Sequence, residues 1–183
     1  MPLAIQMIHV HFGTNFLSLL DSDDTTPLYT VKISRETPQM QFVTFHRSID
    51  TEERDNEAGL CTASFKMTSM EVKLSLRGNV VPLRRPAMFS RSYSFESIAL
   101  PRTTLLWEAD GALTGDFKLR ETNHGQVLCR FRNKMLSATE LGSFELVGEL
   151  ARRLKEEILI SGLSVLVMVQ SLNLAGMVLI GSF

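Results

Sequence analysis

Two histidines near the start of the chain stand in a pattern that can bind a metal ion. His9 and His11 flank Val10, and alternate residues of a β-strand point to the same face, so the two imidazoles would lie side by side if a strand forms there. Such a pair holds Zn²⁺ or Cu²⁺ when a third ligand converges on it. No neighbouring residue in the sequence supplies that ligand. We therefore expect two histidines at a strand edge, and we predict no metal ion and no cofactor.

The densest group of basic residues lies near the middle of the chain and suits an anion. It consists of Arg77, Arg84, Arg85 and Arg91, and the sequence between them, 78–90, is predicted to be a proline-containing loop. Guanidinium groups donate paired hydrogen bonds that match phosphate oxygens. These four arginines are the predicted ligand-binding patch, for an anionic phospholipid headgroup or a phosphorylated peptide. The alternative is a solvated loop whose charge is balanced by nearby glutamates.

The sequence carries no catalytic signature. It lacks a Gly-x-Ser-x-Gly elbow, a P-loop, a dinucleotide-binding glycine pattern and a His-Glu-x-x-His motif. Cys61 and Cys129 fall on the apolar phase of their predicted strands, as buried thiols do, and residues 21–24 lack the downstream glycine and glutamate of a calcium loop. The net charge of −1 gives no general attraction to nucleic acid. We therefore predict a non-enzymatic protein without a nucleic-acid partner.

Alternation of apolar and polar residues dominates the chain up to about residue 147 and predicts antiparallel β-structure. Val72, Leu74 and Leu76 share one face of their segment, and charged or polar residues share the other. This pattern is typical of a sheet that is wet on one side, and short links such as 123–125 favour hairpins. The predicted strands are residues 16–20, 29–34, 41–45, 61–68, 71–77, 91–96, 103–107, 116–120, 126–132 and 143–147.

The end of the chain is strongly apolar and admits two interpretations. Helix-forming residues replace the alternation after residue 148, and residues 158–183 contain no charged side chain. A helix of about 20 apolar residues can span a bilayer. The chain could therefore be a tail-anchored membrane protein with a cytosolic β domain, or the helix could fill the core of the sheet.

Two arguments favour the core helix. Polar Gln170, Ser171 and Asn173 interrupt the apolar stretch, where lipid would leave them unsatisfied. The apolar face of the sheet also needs a cover, and no earlier segment offers one. We therefore predict a buried helix over about 149–172, followed by a possible last strand at 177–180.

The last half of the chain resembles a known superfamily. The residues that carry the resemblance are Leu106-Trp107, Asp110-Gly111, Phe117-Lys118-Leu119, Gly125-Gln126-Val127-Leu128 and Phe131, followed by the helix 156–163. This pattern is similar to the tubby C-terminal-like superfamily, in particular to its small fungal members. The similarity covers about residues 15–172 and is firmest from Trp107 onward. No basic motif of the lipid-binding tubby proteins aligns with this sequence, so none of their ligand residues is carried over.

The resemblance implies a β-barrel closed around one hydrophobic C-terminal helix, and a binding module rather than an enzyme. Relatives include phosphoinositide-binding tubby proteins and phospholipid scramblase-like proteins. We accordingly expect one tubby-like domain over 1–183, with strands over about 15–147, that binds an anionic phospholipid or a protein partner. Two thiols and the absence of a basic flank at the N-terminus favour the cytoplasm, where lipid binding would bring the protein to a membrane surface without integral insertion.

Overall fold

The computed structural model describes residues 4–14, 16–34, 39–44, 61–66, 71–87, 90–111 and 114–169. Twelve β-strands and one α-helix lie within these ranges. The strands are β1 (Ile5–Phe12), β2 (Phe16–Leu20), β3 (Pro27–Ser34), β4 (Gln39–Thr44), β5 (Cys61–Lys66), β6 (Glu71–Leu76), β7 (Asn79–Leu83), β8 (Tyr93–Glu96), β9 (Thr104–Ala109), β10 (Phe117–Glu121), β11 (Val127–Asn133) and β12 (Glu140–Val147). The helix is α1 (Arg152–Val169).

The strands form one antiparallel sheet in which most neighbours in the chain are also neighbours in space. Their order is β7-β6-β5-β4-β3-β2-β1-β12-β11-β10-β9-β8. Because β1 pairs with β12, the N-terminal strand joins the two halves of the chain. At the outer strands of this order, Arg84 beside β7 and Ser94 in β8 exchange backbone hydrogen bonds of 2.8 and 2.9 Å.

The predicted antiparallel sheet with one C-terminal helix is confirmed, and ten strands coincide with predicted segments. The predicted start of the strands near residue 15 is wrong, because β1 begins at Ile5. Apolar Ile5 and Met7 lie on the outward face of β1 and hide its alternation. The predicted loop 78–90 is also wrong in part, because residues 79–83 form β7. Pro82 led to the loop prediction, since proline has no N–H to donate to a neighbouring strand.

Helix α1 lies in the core of the described structure. Every residue from Glu156 to Leu166 is buried, which covers all faces of the helix over three turns. The predicted core helix is thus confirmed for its described part, although it begins at Arg152 rather than at 149. Residues 170–183, including the possible last strand at 177–180, lie outside the described residues. In the part of the chain that the structure describes, no helix has both the length and the hydropathy needed to cross a bilayer.

Aromatic side chains of the sheet fit closely around the middle of α1. A Cβ atom on Gly162 would lie 2.6 Å from Cε1 of Phe144 and 2.9 Å from Cζ2 of Trp107. Trp107 Nε1 donates a hydrogen bond of 2.9 Å to Ser161 Oγ, which in turn donates to the Ile158 carbonyl. The burial of each large apolar side chain here contributes about 1.5–3 kcal/mol. The hydrogen bond fixes which face of the helix meets Trp107.

Candidate functional site

A cleft of about 490 Å³ opens beside the first two turns of α1. Three parts of the chain form its walls: the turn between β6 and β7, the segment that follows β8, and the start of the helix. The lining residues are Cys61, Leu76, Arg77, Asn79, Ile98, Ala99, Ala151, Arg152, Arg153, Glu156 and Glu157. The cleft therefore combines three guanidinium groups with two carboxylates.

A tight hairpin turn brings Arg77 to this cleft. Arg77 and Gly78 have φ angles of 49° and 82°, and two successive positive values are what a two-residue hairpin turn with right-handed strand twist requires. Gly78 adopts this conformation without strain, whereas Arg77 tolerates it at some energetic cost. Arg77 Nη2 donates a hydrogen bond of 2.6 Å to Glu156 Oε2. This ion pair links the turn to the helix.

Glu156 is the central acidic group of the cleft. Its side chain is 6% exposed, and its second oxygen, Oε1, accepts a hydrogen bond of 3.0 Å from Nε of Arg152 one turn earlier. A buried carboxylate needs such partners, because an unpaired buried charge is strongly destabilising. Glu156 thus holds Arg77 and Arg152 at the same wall of the cleft.

Glu157 anchors the segment that follows β8. Its Oε2 accepts a hydrogen bond of 2.7 Å from the Ser97 hydroxyl, and its Oε1 accepts one of 2.8 Å from the Ile98 N–H. The Ala99 N–H donates to Oε2 at 3.3 Å. Three donors satisfy this carboxylate, which is only 2% exposed. Glu157 is therefore a structural group that shapes the wall of the cleft.

Cys61 contributes an unreactive thiol to the floor of the cleft. Burial, reinforced by the negative charge of Glu156, raises the pKa of this thiol to about 11. Burial also raises the pKa of Cys129, which lies in the core. Both cysteines are buried as predicted. A thiol that stays protonated at neutral pH is a poor nucleophile, so the cleft offers cationic and apolar contacts rather than a nucleophile.

The four arginines of the predicted patch do not all reach this cleft. Arg77 lines it, but Arg84 follows the opposite end of β7, and a five-residue strand is about 16 Å long. Arg85 donates two hydrogen bonds to the Ser90 carbonyl, and its guanidinium lies 5.6 Å from the Tyr93 ring centroid. Arg84, Arg85 and Arg91 thus lie toward the other end of the sheet. Their role as a ligand-binding patch stays a prediction.

Two arginines at the cleft were not among the predicted site residues. They are Arg152 and Arg153, which lie at the start of α1. The signal that could have found them is their position in the first turn of the helix, since a helix N-terminus attracts anions. Arg153 is exposed and forms no ion pair with any residue that the structure describes.

Exposed apolar side chains lie beside the cationic cleft. Ile98 lines it and is 42% exposed, and Val80 follows the lining residue Asn79 and is 67% exposed. Isolated exposed apolar residues are common on protein surfaces. Here Ile98 shares the cleft with three arginines, and a rim of this composition fits the boundary between lipid headgroups and acyl chains.

A second polar cluster lies on the outward face of β1. His9 Nδ1 lies 3.1 Å from Glu140 Oε1, and His11 Nε2 lies 2.7 Å from Asp24 Oδ1. Lys134 Nζ donates to the other Glu140 oxygen. Burial opposes ionisation of Glu140, but the hydrogen bonds from Lys134 and His9 outweigh burial and lower the pKa of this carboxyl group. The two histidines predicted to share a face therefore do so, with carboxylates from distant parts of the chain beside them. Their predicted place at a strand edge is wrong, because β1 pairs with both β2 and β12.

In comparisons with known proteins, no family model, curated protein or solved structure matches the chain.

Proposed function

We propose that this chain is a non-enzymatic binding module of the tubby-like type, whose cleft beside α1 docks the phosphate of an anionic phospholipid headgroup at a cytoplasmic membrane surface. The observation that carries the proposal is the grouping of Arg77, Arg152 and Arg153 around one cleft of about 490 Å³. Guanidinium groups bind phosphate oxygens through paired, charge-assisted hydrogen bonds. The positive end of the α1 dipole adds to the same field.

The proposal includes a sheet that closes into a barrel around α1. Support comes from the backbone hydrogen bonds between Arg84 and Ser94, which link the two outermost strands, β7 and β8. The burial of α1 on all faces is further support, because a sheet that covered one side would leave the opposite face exposed. A closed barrel holds the arginines of the turn and of the helix at one end of a rigid frame.

The neighbouring apolar residues favour a membrane surface over a soluble anion. Ile98 is exposed in the lining of the cleft, and Val80 is exposed next to the lining residue Asn79 in the chain, so a headgroup held by the arginines would bring them toward the acyl chains. A free phosphate would leave both side chains in water.

Each basic residue near an anionic leaflet contributes about 1 kcal/mol to the binding free energy, which corresponds to about fivefold in affinity.

Vesicle sedimentation tests the proposal. The wild-type protein is expected to sediment with phosphatidylcholine vesicles that contain a phosphoinositide, and not with phosphatidylcholine alone. Binding should weaken as the salt concentration rises, because exposed charges are screened. Arg153→Ala should weaken binding about fivefold, and Ile98→Asp should weaken it further by adding a negative charge at the rim. Both changes fall on exposed side chains, so the fold should be retained.

The matched control is the double change Arg84→Ala/Arg91→Ala, which removes two arginines from the other end of the sheet. This control should bind vesicles like the wild type. Equal binding by wild type and Arg153→Ala would overturn the assignment of the cleft, as would loss of binding in the control alone. Failure of the wild-type protein to bind any anionic vesicle would refute the lipid-binding function and leave a protein partner as the remaining candidate.

A further inference from the structure

A bulge in the sheet brings Glu140 next to the two histidines of β1. Val10 pairs with Gly142, whereas His11 pairs with Glu140, so Leu141 is an extra residue in β12. Such a bulge reverses the alternation of side chains on the strand that carries it. Leu141 points into the core, and Glu140 turns outward to the face that carries His9 and His11.

Glycine at position 142 makes this bulge possible. A Cβ atom there would overlap the carbonyl oxygen of Arg132 on the neighbouring strand β11. Any other residue would push β12 away from β11 or remove the bulge. The backbone geometry of the bulge therefore determines that the Glu140 side chain points toward the two histidines.

The turn between β2 and β3 adds a second carboxylate. Asp24 lies in this turn, with a φ of 54°, and its Oδ1 lies 2.7 Å from His11 Nε2 and 3.8 Å from His9 Nδ1. Asp23 holds the turn by accepting hydrogen bonds from the backbone N–H groups of Thr25 and Thr26. Four ligand-type side chains thus converge from three separate segments of the chain.

The separations between these atoms lie on either side of the value expected for a tetrahedral metal site. Bonds of about 2.0–2.1 Å place neighbouring ligand atoms about 3.3 Å apart around a zinc ion. Here Asp24 Oδ1 lies 2.7 Å from His11 Nε2 and 3.8 Å from His9 Nδ1, and His9 Nδ1 lies 3.1 Å from Glu140 Oε1. The ligand atoms of His9, His11 and Glu140 all lie within 4.8 Å of one another. Asp24 Oδ1 lies beside this group of three, next to both histidines, and it would supply the fourth ligand.

The chemistry of the donors selects the class of metal. Two imidazole nitrogens with two carboxylate oxygens suit zinc and its transition-metal neighbours, whereas calcium and magnesium prefer sites made of oxygen alone. The two carboxylates would neutralise the charge of a divalent ion bound there. Lys134 binds the outer oxygen of Glu140, and such a partner orients a ligand and leaves Oε1 turned toward His9.

The geometry points to a zinc-class metal site formed by His9, His11, Glu140 and Asp24, which fastens the turn between β2 and β3 and the strand β12 to β1. The site is independent of the proposed lipid-binding function. It lies on the outward face of the sheet, and it shares no residue with the cleft beside α1. Four protein ligands leave no open position for a substrate, so the site is structural.

Thermal unfolding of the full chain with added metal tests the site. Zn²⁺ alone, in a buffer without chelator, should raise Tm by about 5–10 °C when its free concentration is a hundredfold above Kd, and Mg²⁺ should have no effect. Isothermal titration should give one zinc ion per chain. His9→Asn/His11→Asn should abolish both effects, and Asp24→Asn, an exposed change, should weaken zinc binding at least tenfold.

The control variant is His124→Asn, which removes a histidine whose side chain is 80% exposed in a different turn. It should bind zinc like the wild type. The metal site would be overturned by an unchanged wild-type Tm with zinc, or by undiminished zinc binding in Asp24→Asn. Co²⁺ substitution gives a further check, because thiolate-to-cobalt absorption would show that Cys61 or Cys129 binds the metal instead. If the double histidine variant does not fold, zinc binding by Asp24→Asn and the Co²⁺ spectrum of the wild type still test whether these residues bind the metal.

Discussion

Replacing Gly162 by alanine is expected to destabilise the protein, although alanine is the better helix former. A new Cβ would lie 2.6 Å from Cε1 of Phe144 and 2.9 Å from Cζ2 of Trp107, and ordinary contact begins at 3.4 Å. The Phe144 ring would therefore have to move by about 0.8 Å. Trp107 cannot follow freely, because its indole N–H is bonded to Ser161 at 2.9 Å.

The expected size of this effect follows from two opposing contributions. Overpacking of a well-filled core costs about 1–3 kcal/mol, and two aromatic contacts this short favour the upper part of that range. Alanine contributes about 1 kcal/mol in the other direction through its helix propensity. The net loss should be about 1–2 kcal/mol, which lowers the Tm of a chain of this length by about 2–8 °C.

Urea unfolding measures the effect of Gly162→Ala most directly. The midpoint should fall while the slope of the free energy of unfolding with urea stays unchanged. Ser164→Ala is the matched control, because it places the same residue in the same helix without adding atoms, and should change stability by about 1 kcal/mol or less. In a Phe144→Leu background, Gly162→Ala should be less destabilising, since the ring in its way is gone. If Gly162→Ala stabilises the protein, Phe144 and Trp107 do not pack closely against α1 at this position.

Two other predictions concern the groups around the cleft, besides those for lipid and zinc. Glu157→Gln should lower the free energy of unfolding by about 2–3 kcal/mol, because an amide NH₂ would face hydrogen-bond donors that a carboxylate oxygen now accepts. Urea unfolding measures the change. A loss below about 0.5 kcal/mol, which is typical of surface substitutions, would contradict the prediction. Cys61 should react slowly with a thiol reagent at pH 8, since a pKa of about 11 leaves about one thiolate in a thousand. The labelling rate in a Cys129→Ser background should rise about tenfold per pH unit toward pH 10, and rapid labelling of the native protein at pH 8 would show that the thiol is accessible and ionised.

The alternation of residue types was sufficient to predict most of the sheet, because each strand has one buried and one solvated face. In β6, Val72, Leu74 and Leu76 are buried as the pattern requires. The signal fails where a strand carries apolar residues on both faces, as β1 does with Met7 outside and Ile8 inside. It fails as well where proline suggests a loop, as in β7. Neither failure changes the predicted fold class.

The sites were much harder to predict, because they depend on register and strand direction. Arg77 and Arg84 are close in sequence, but the strand between them carries them toward opposite ends of the sheet. His9 and Glu140 are 131 residues apart and meet only because β1 pairs with β12 across a bulge. The residues around His9 or Glu140 do not reveal that β1 pairs with β12, nor that Leu141 forms a bulge in that pairing. A ligand search confined to neighbouring positions therefore finds the histidines without their partners.

The polar residues of α1 have a consistent physical role within an otherwise apolar helix. Apolar burial stabilises the helix against the sheet, but it is not directional and would allow many rotations and depths. Three tethers remove this freedom: Glu156 binds Arg77 beside β6, Glu157 binds Ser97 beside β8, and Ser161 accepts the indole N–H of Trp107 in β9. A rotated helix would leave buried charges without partners, which is far more costly than imperfect apolar contact. We infer that these few hydrogen bonds select one orientation of the helix, and that the same selection sets Arg152 and Arg153 at the mouth of the cleft.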